Sequence, residues 1–336
     1  FLTADLFNLF VFFEILLIAS YALVLHGQRD PARTRAGLHF VVINLLGSSL
    51  FLIAVGTLYG TLGTLNMADL SVKVAQTPPE SVGLVRAAGL LLFAVFALKT
   101  ALFPLHLWLP ASYARASAPV AALFAVMTKV GVYSILRVFV PIFGPGAGPL
   151  ADLSAPWLLP LALGTLAVGS LGALAVRGLR RQIAYLVVAS VGSLLAALGL
   201  GSAAGIAAGL YYLPHSTFAT AALFLLADLI AKGRGDLGDR LDPGPAIPQG
   251  AALGLLFFSL AVAVVGLPPL SGFLGKAMTL RAALDHPWAP WVFAVILLGG
   301  LSGLIALARS GSLIFYRPGS GHATPAPTAA APDPAA

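Results

Sequence analysis

The chain has 336 residues, 59% of them hydrophobic and 9% charged, and a formal charge of +7 from 19 Lys and Arg against 12 Asp and Glu. Soluble domains run at roughly 45–50% apolar and about 25% charged, so a soluble globular protein is excluded and the excess apolar surface must face lipid. Cysteine is absent, which removes disulfides, thiolate nucleophiles and thiolate metal sites, and the basic balance reads as loops on one membrane face rather than a nucleic-acid surface.

A spanning helix needs about 20 mostly apolar residues. Cutting at charge clusters and Pro/Gly punctuation predicts nine, over residues 4–25, 37–60, 84–109, 115–140, 155–176, 183–202, 205–230, 250–283 and 289–315. These stretches lack the alternating polarity of barrel strands and run about twice as long, so an all-α polytopic membrane protein is expected. Phe1 to Leu25 is too long and too apolar for a signal peptide and has no basic lead-in; the start at Phe1 is read as lying inside a longer protein. The 61–83 stretch, with Thr77-Pro78-Pro79-Glu80, and the Gly/Pro/Asp-rich 231–249 stretch read as surface connections. Residues 317–336, rich in Pro and Ala, read as a disordered tail.

Sorting Lys and Arg by loop tests this division. Loops after the odd-numbered segments hold twelve, Arg29, Arg33, Arg35, Arg177, Arg180 and Arg181 among them, whereas the opposite loops hold Lys73, Arg86 and Arg281. That alternation supports the segment count and places the first set of loops in the cytoplasm. The remaining four, Lys99, Lys129, Arg137 and Lys276, fall inside predicted spans.

An ionisable residue within a span is a functional-site hypothesis by default, because a lipid-exposed charge costs at least about 2.5–3.5 kcal/mol. Glu14 sits mid-segment in Phe12-Phe13-Glu14-Ile15, with no basic residue in reach on its own helix, and needs a partner from another segment. Lys99 precedes Phe103-Pro104-Leu105-His106, Lys129 lies in Met127-Thr128-Lys129, Lys276 follows Pro268-Pro269-Leu270-Ser271, and His215 follows Tyr212-Leu213-Pro214. Snorkelling to the headgroups accounts for Arg137 and Asp228, but not for Glu14, Lys99 or Lys276 at depth. The competing bland readings are a structural ion pair between Glu14 and one lysine and a satisfied core histidine at His215.

Pro104, Pro268 and Pro269 break the two lysine-bearing spans, since proline removes a backbone donor and kinks a helix. In transporters such breaks line wet cavities, often at corresponding positions of two repeats. Counting five spans back from the last makes residues 155–316 one repeat and 1–140 a repeat lacking its first helix, with the broken span fourth in both. Five being odd, the two repeats enter the membrane with opposite orientation. Desolvation favours a neutral amine and a nearby carboxylate favours the ammonium, so Glu14, Lys99, Lys129 and Lys276 can form a lateral series of proton sites, with His106 and His215 able to bridge them. There is no GxxxxGK loop, no HExxH and no histidine pair in a convincing haem context. No catalytic centre, metal or cofactor is therefore expected.

Several stretches together resemble a known family. They are Asp5-Leu6-Phe7-Asn8-Leu9-Phe10-Val11-Phe12-Phe13-Glu14, Lys99 with Phe103-Pro104-Leu105-His106-Leu107-Trp108-Leu109-Pro110, Ala118-Pro119 through Lys129, His215-Ser216, and Gly266-Leu267-Pro268-Pro269-Leu270-Ser271-Gly272-Phe273. Over residues 1–316 the chain is similar to the antiporter-like membrane subunits shared by Mrp-type multisubunit cation/proton antiporters and the proton-pumping arm of respiratory complex I. The resemblance implies inverted five-helix repeats, each with a broken helix, in a multi-pass subunit of a prokaryotic cell membrane. It implies that Glu14 is the coupling glutamate, Lys99 the input-side lysine, Lys129 the connecting lysine and Lys276 the output-side residue. A lysine after the Gly-Leu-Pro-Pro stretch looks more like the Mrp D-type subunit than the complex I subunit, which carries glutamate there. The implied partners are other membrane subunits of a hetero-oligomeric antiporter, with protons exchanged for Na+ or another monovalent cation, or of NADH:quinone oxidoreductase or a related membrane hydrogenase. The chain departs from many relatives at Thr220, where they carry a lysine. A non-catalytic membrane scaffold is the third reading.

Overall fold

The computed structural model describes residues 2–26 and 31–316; the expected tail at 317–336 and Arg29 lie outside the described residues. Among the described residues thirteen α-helices run in chain order: α1 Leu6–Leu25, α2 Pro31–Leu62, α3 Met67–Ala75, α4 Pro79–Thr100, α5 Trp108–Arg115, α6 Ala118–Phe124, α7 Met127–Phe139, α8 Ala155–Ala175, α9 Leu179–Gly199, α10 Ala203–Gly233, α11 Gly250–Val265, α12 Ser271–Ala282 and α13 Ala289–Gly311. Among the described residues there is no strand. Side-chain caps open three of the helices: Asp5 accepts from the Asn8 amide, Asn66 from Ala68 and Asp69, and Ser202 from Gly205, each satisfying a donor that has no partner within its own helix. Eight stretches are long and apolar enough to cross a membrane, with α6 and α7 counted together, and α11 is a shorter apolar helix. The protein is an all-α, multi-pass membrane protein, and these nine pieces fall on the nine predicted segments.

The structure corrects the reading at four places. The span expected over 84–109 stops at Thr100, where Ala101 turns left-handed at φ 60°, and helix resumes only at α5. The span expected over 250–283 is two helices, with α11 ending at Gly266 in the left-handed conformation, φ 81°, which glycine adopts without a Cβ penalty. Within the 61–83 connection lies α3, too short to carry a clear period, with Asp69 in its first turn and Lys73 in its last, each favourable to the helix dipole. Finally, the fourth span is interrupted at Ala125 and Val126 without a proline. There the Tyr113 hydroxyl of α5 donates to the Phe124 carbonyl at 2.7 Å, and a side chain entering the backbone ladder is a recognised cause of a break. Pro160 and Pro214, by contrast, stay inside α8 and α10.

Helix α9 organises the interior. Its apolar window is 89% buried, against 28% for α1 and α13, so α9 is sheathed by the other helices while those two present most of their surface outward. It contributes to both hydrophobic clusters of the core. The α8–α9 approach needs glycine: a Cβ on Gly192 would sit 2.3 Å from the Leu166 amide nitrogen, and one on Gly169 2.4 Å from that of Ala189. Small residues let helix backbones touch in this way where no hydrophobic force separates lipid from protein.

Candidate functional site: buried lysines at two helix breaks

Lys99 is the penultimate residue of α4, at the helix end rather than mid-helix, and is 5% exposed. Its ammonium donates to the Asn44 carbonyl at 3.0 Å and the Ser48 Oγ at 3.2 Å on α2, with the Asn44 Oδ1 at 3.5 Å. Gly47, between those partners, lets α2 come close to α4: a Cβ there would lie 3.0 Å from Leu98 Cδ2. The break after Lys99 is held from both sides. Trp108 Nε1 donates back to the Leu98 carbonyl at 3.1 Å, and the Phe103 amide donates to Thr165 Oγ1 on α8 at 2.8 Å. Pro104 lies in this break, and His106, buried beside it, stacks on Phe103 with its Nδ1 unpartnered.

Lys129 stands one turn after the α6–α7 break, 2% exposed, and its ammonium donates to Ser190 Oγ on α9 at 3.1 Å. Lys276, on α12, reaches back across the second break, which contains Pro268 and Pro269, and donates to the Val265 carbonyl at the end of α11 at 2.6 Å. It thereby satisfies one of the carbonyls a helix C-terminus leaves free. His215 on α10 spans the same break, with Nε2 3.1 Å from the Ala263 carbonyl and Nδ1 2.7 Å from Ser271 Oγ. Both its nitrogens are thus engaged by the two helices of the broken span, and it touches none of the three lysines by hydrogen bond.

Glu14 lies mid-way along α1, half-buried, with Oε1 shielded from solvent and without a hydrogen-bond partner. Its charge acts on Lys99 and on Tyr21, two turns along α1, but it makes no ion pair with Lys99 or Lys129. Among the described residues no carboxylate lies within ion-pair distance of Lys99, Lys129 or Lys276. Asp228, near the end of α10, takes Arg180 at 2.5 Å and Lys232 at 2.9 Å, so it has partners within the protein.

Asn44, Ser48 and Ser190 were not singled out in the sequence. Asn44 carried a signal, an amide between Ile43 and Leu45 in an otherwise apolar stretch; the serines carried none, because a serine is common in spanning helices and only its neighbours across the bundle distinguish it. An ammonium that meets only neutral oxygens in a low-dielectric interior is not locked in one protonation state by a counter-charge. Each of the three lysines so held can bind and release a proton, and Glu14 is the carboxylate whose charge reaches Lys99.

The chain is similar to known membrane proteins. The sequence profile described as NADH:quinone oxidoreductase/Mrp antiporter, TM, matches residues 3–302. The chain is 42% identical over 344 aligned residues to the D-type subunit of a probable K(+)/H(+) antiporter of Rhizobium meliloti strain 1021, covering 94% of this chain and 64% of that protein. It is 40% identical over 308 residues to the D-type subunit of the Na(+)/H(+) antiporter of Bacillus subtilis strain 168, covering 91% and 60%. A chain in the structure of the Mrp complex from Dietzia sp. DQ12-45-1b superposes with a TM-score of 0.82 at 31% identity, covering 94% of this chain and 57% of that one. The chain thus spans less than two thirds of the length of these relatives. With the profile matched over most of its length, the chain belongs to the NADH:quinone oxidoreductase/Mrp antiporter transmembrane family.

Proposed function

We propose that this chain translocates protons within a multisubunit monovalent cation/proton antiporter of the cell membrane, as its D-type subunit. The observation that carries the reading is the set of lysines within the bundle, Lys99 and Lys129 buried and Lys276 half-buried, each held by neutral oxygens and, among the described residues, none by a carboxylate. Charges are costly at membrane depth and are kept there where they serve an ion pathway. Glu14, near Lys99, couples to the input lysine; Lys129 connects; Lys276, at the second break, is the output residue. Pro104, Pro268 and Pro269 mark the breaks at which the chain exchanges partners. The relatives named as D-type subunits of K(+)/H(+) and Na(+)/H(+) antiporters support a monovalent cation as the exchanged ion. The other membrane subunits of that assembly are the partners.

The same reading arranges the fold as two inverted repeats. The 32-residue α2 and the 31-residue α10 each precede a broken span, α4 with α5 and α11 with α12. This pairing supports 1–140 as a repeat lacking its first helix and 155–316 as the second. The redox-driven alternative, a proton-pumping subunit of NADH:quinone oxidoreductase, rests on the shared family description and on no feature of this site.

The test is cation-driven pH change in everted membrane vesicles from cells producing the chain with its partner subunits. Glu14→Ala and Lys129→Ala are each expected to abolish the change while the complex still assembles. Wild-type exchange in both variants rules the proposal out, and copurification with flavin and iron-sulfur subunits decides for the redox-driven reading.

A further inference from the structure

Beside Lys276 the structure holds a small cavity, and one serine of its lining meets Lys129. Ser190 Oγ accepts from Lys129 at 3.1 Å and donates to the Val187 carbonyl at 2.7 Å. Ser190 also lines a cavity of about 30 Å³, together with Ser170, Ser193, Tyr212, Gly300 and Lys276. A water needs about 10–15 Å³ of such space and two or more polar partners; three serines, a tyrosine and a lysine are among the residues of its walls. On the opposite side of the path no hydrogen bond joins His215 to Lys129 or Lys276. Its Nε2 meets the Ala263 carbonyl, which cannot pass a proton on, and its Nδ1 meets Ser271, while the Thr220 hydroxyl donates to the Ser216 carbonyl of its own helix at 2.6 Å.

Resting on the proton-translocating reading above, we infer that Ser190 and a water in this α9-side cavity, rather than His215, carry the proton from Lys129 to Lys276. The step balances. The Lys129 ammonium gives a proton to Ser190 Oγ as that hydroxyl, turned from the Val187 carbonyl into the cavity, gives its own to the water, and the water gives one to the Lys276 amine. Lys129 ends neutral and Lys276 charged, with the hydroxyl and the water unchanged in composition.

The experiment measures cation-driven proton movement in everted vesicles containing the assembled complex, with wild type measured alongside. Ser190→Ala is expected to slow exchange about tenfold or more, and Ser190→Thr, which keeps the hydroxyl, to stay within about threefold of wild type. A second variant fills part of the cavity from its apolar side. The methyl added by Gly303→Ala would meet only the Val265 and Leu186 side chains, at 3.7 Å and 3.8 Å, ordinary contact distances, so the fold should tolerate it while exchange falls about tenfold. Exchange in Ser190→Ala within about threefold of wild type, an unchanged rate in the filled variant, or a loss that Ser190→Thr fails to recover each overturns the assignment. Absence of exchange in wild type strikes the proposed function instead.

Discussion

Replacing Lys99 separates its chemistry from its packing. Its ammonium donates to the Asn44 carbonyl at 3.0 Å and to Ser48 Oγ at 3.2 Å. Hydrogen bonds to a charged group are worth about 1.5–3 kcal/mol each, so removing the two forfeits about 3–6 kcal/mol. Against this, keeping one ammonium out of water costs several kcal/mol, which Lys99→Met recovers at a site only 5% exposed. The two nearly cancel, and Lys99→Met should shift the unfolding free energy of the purified chain by no more than about 2 kcal/mol. Proton exchange, which needs a group that titrates, should fall about a hundredfold or more. Lys99→Arg sharpens the case: it keeps the charge, but the guanidinium does not deprotonate in proteins, and so it should be as inactive as methionine. The assays are thermal denaturation in detergent and cation-driven pH change in everted vesicles. Wild-type exchange by the arginine variant would show that Lys99 need not release its proton, and a loss of many kcal/mol in the methionine variant would show that the site is structural.

Other outcomes follow from single contacts. Trp108→Phe keeps an aromatic ring but removes the donor that meets the Leu98 carbonyl at 3.1 Å; that carbonyl still accepts from the Ala101 amide, so the loss is of one hydrogen bond and should lower stability by about 0.5–1.5 kcal/mol, read as a reduced Tm. Gly192→Val should destabilise by more than about 3 kcal/mol, because its Cβ would press on the Leu166 backbone at 2.3 Å and force α8 from α9; a Tm equal to wild type would mean that the two helices do not pack as described. On α3, the hydrogen bonds of Lys73 and Thr64 hold the Asp69 carboxyl below its ordinary value. A lowered folded-state value means stabilisation that is present above the unfolded value and lost as pH falls through the folded one. Amide protection of α3 in hydrogen exchange should therefore decline below about pH 4, and Asp69→Asn should abolish that dependence.

What was legible in the sequence was what is decided locally. Membrane crossing is set by the length and apolarity of each stretch, so nine segments could be placed from residue type alone, and Pro104, Pro268 and Pro269 announced both breaks because the missing donor is a property of the residue itself. The cost of charge in lipid likewise marked Glu14, Lys99, Lys129 and Lys276 before any neighbour was known. Other features were not legible. Helix α3 is too short for a period, and the α6–α7 break depends on a tyrosine hydroxyl from α5 rather than on anything between Phe124 and Met127.

Membrane depth and helix ends thus follow from the order of residues, since solvation and backbone geometry act within a few positions. Partnership does not. Asn44 meets Lys99 across 55 positions and Lys129 meets Ser190 across 61, and such pairs exist only because helices pack in one arrangement among many that bury the same apolar faces. His215, read from sequence as a possible relay, is engaged at both nitrogens by residues 48 and 56 positions away. Only the tertiary structure decided which serine stands beside a buried lysine and where a cavity remains.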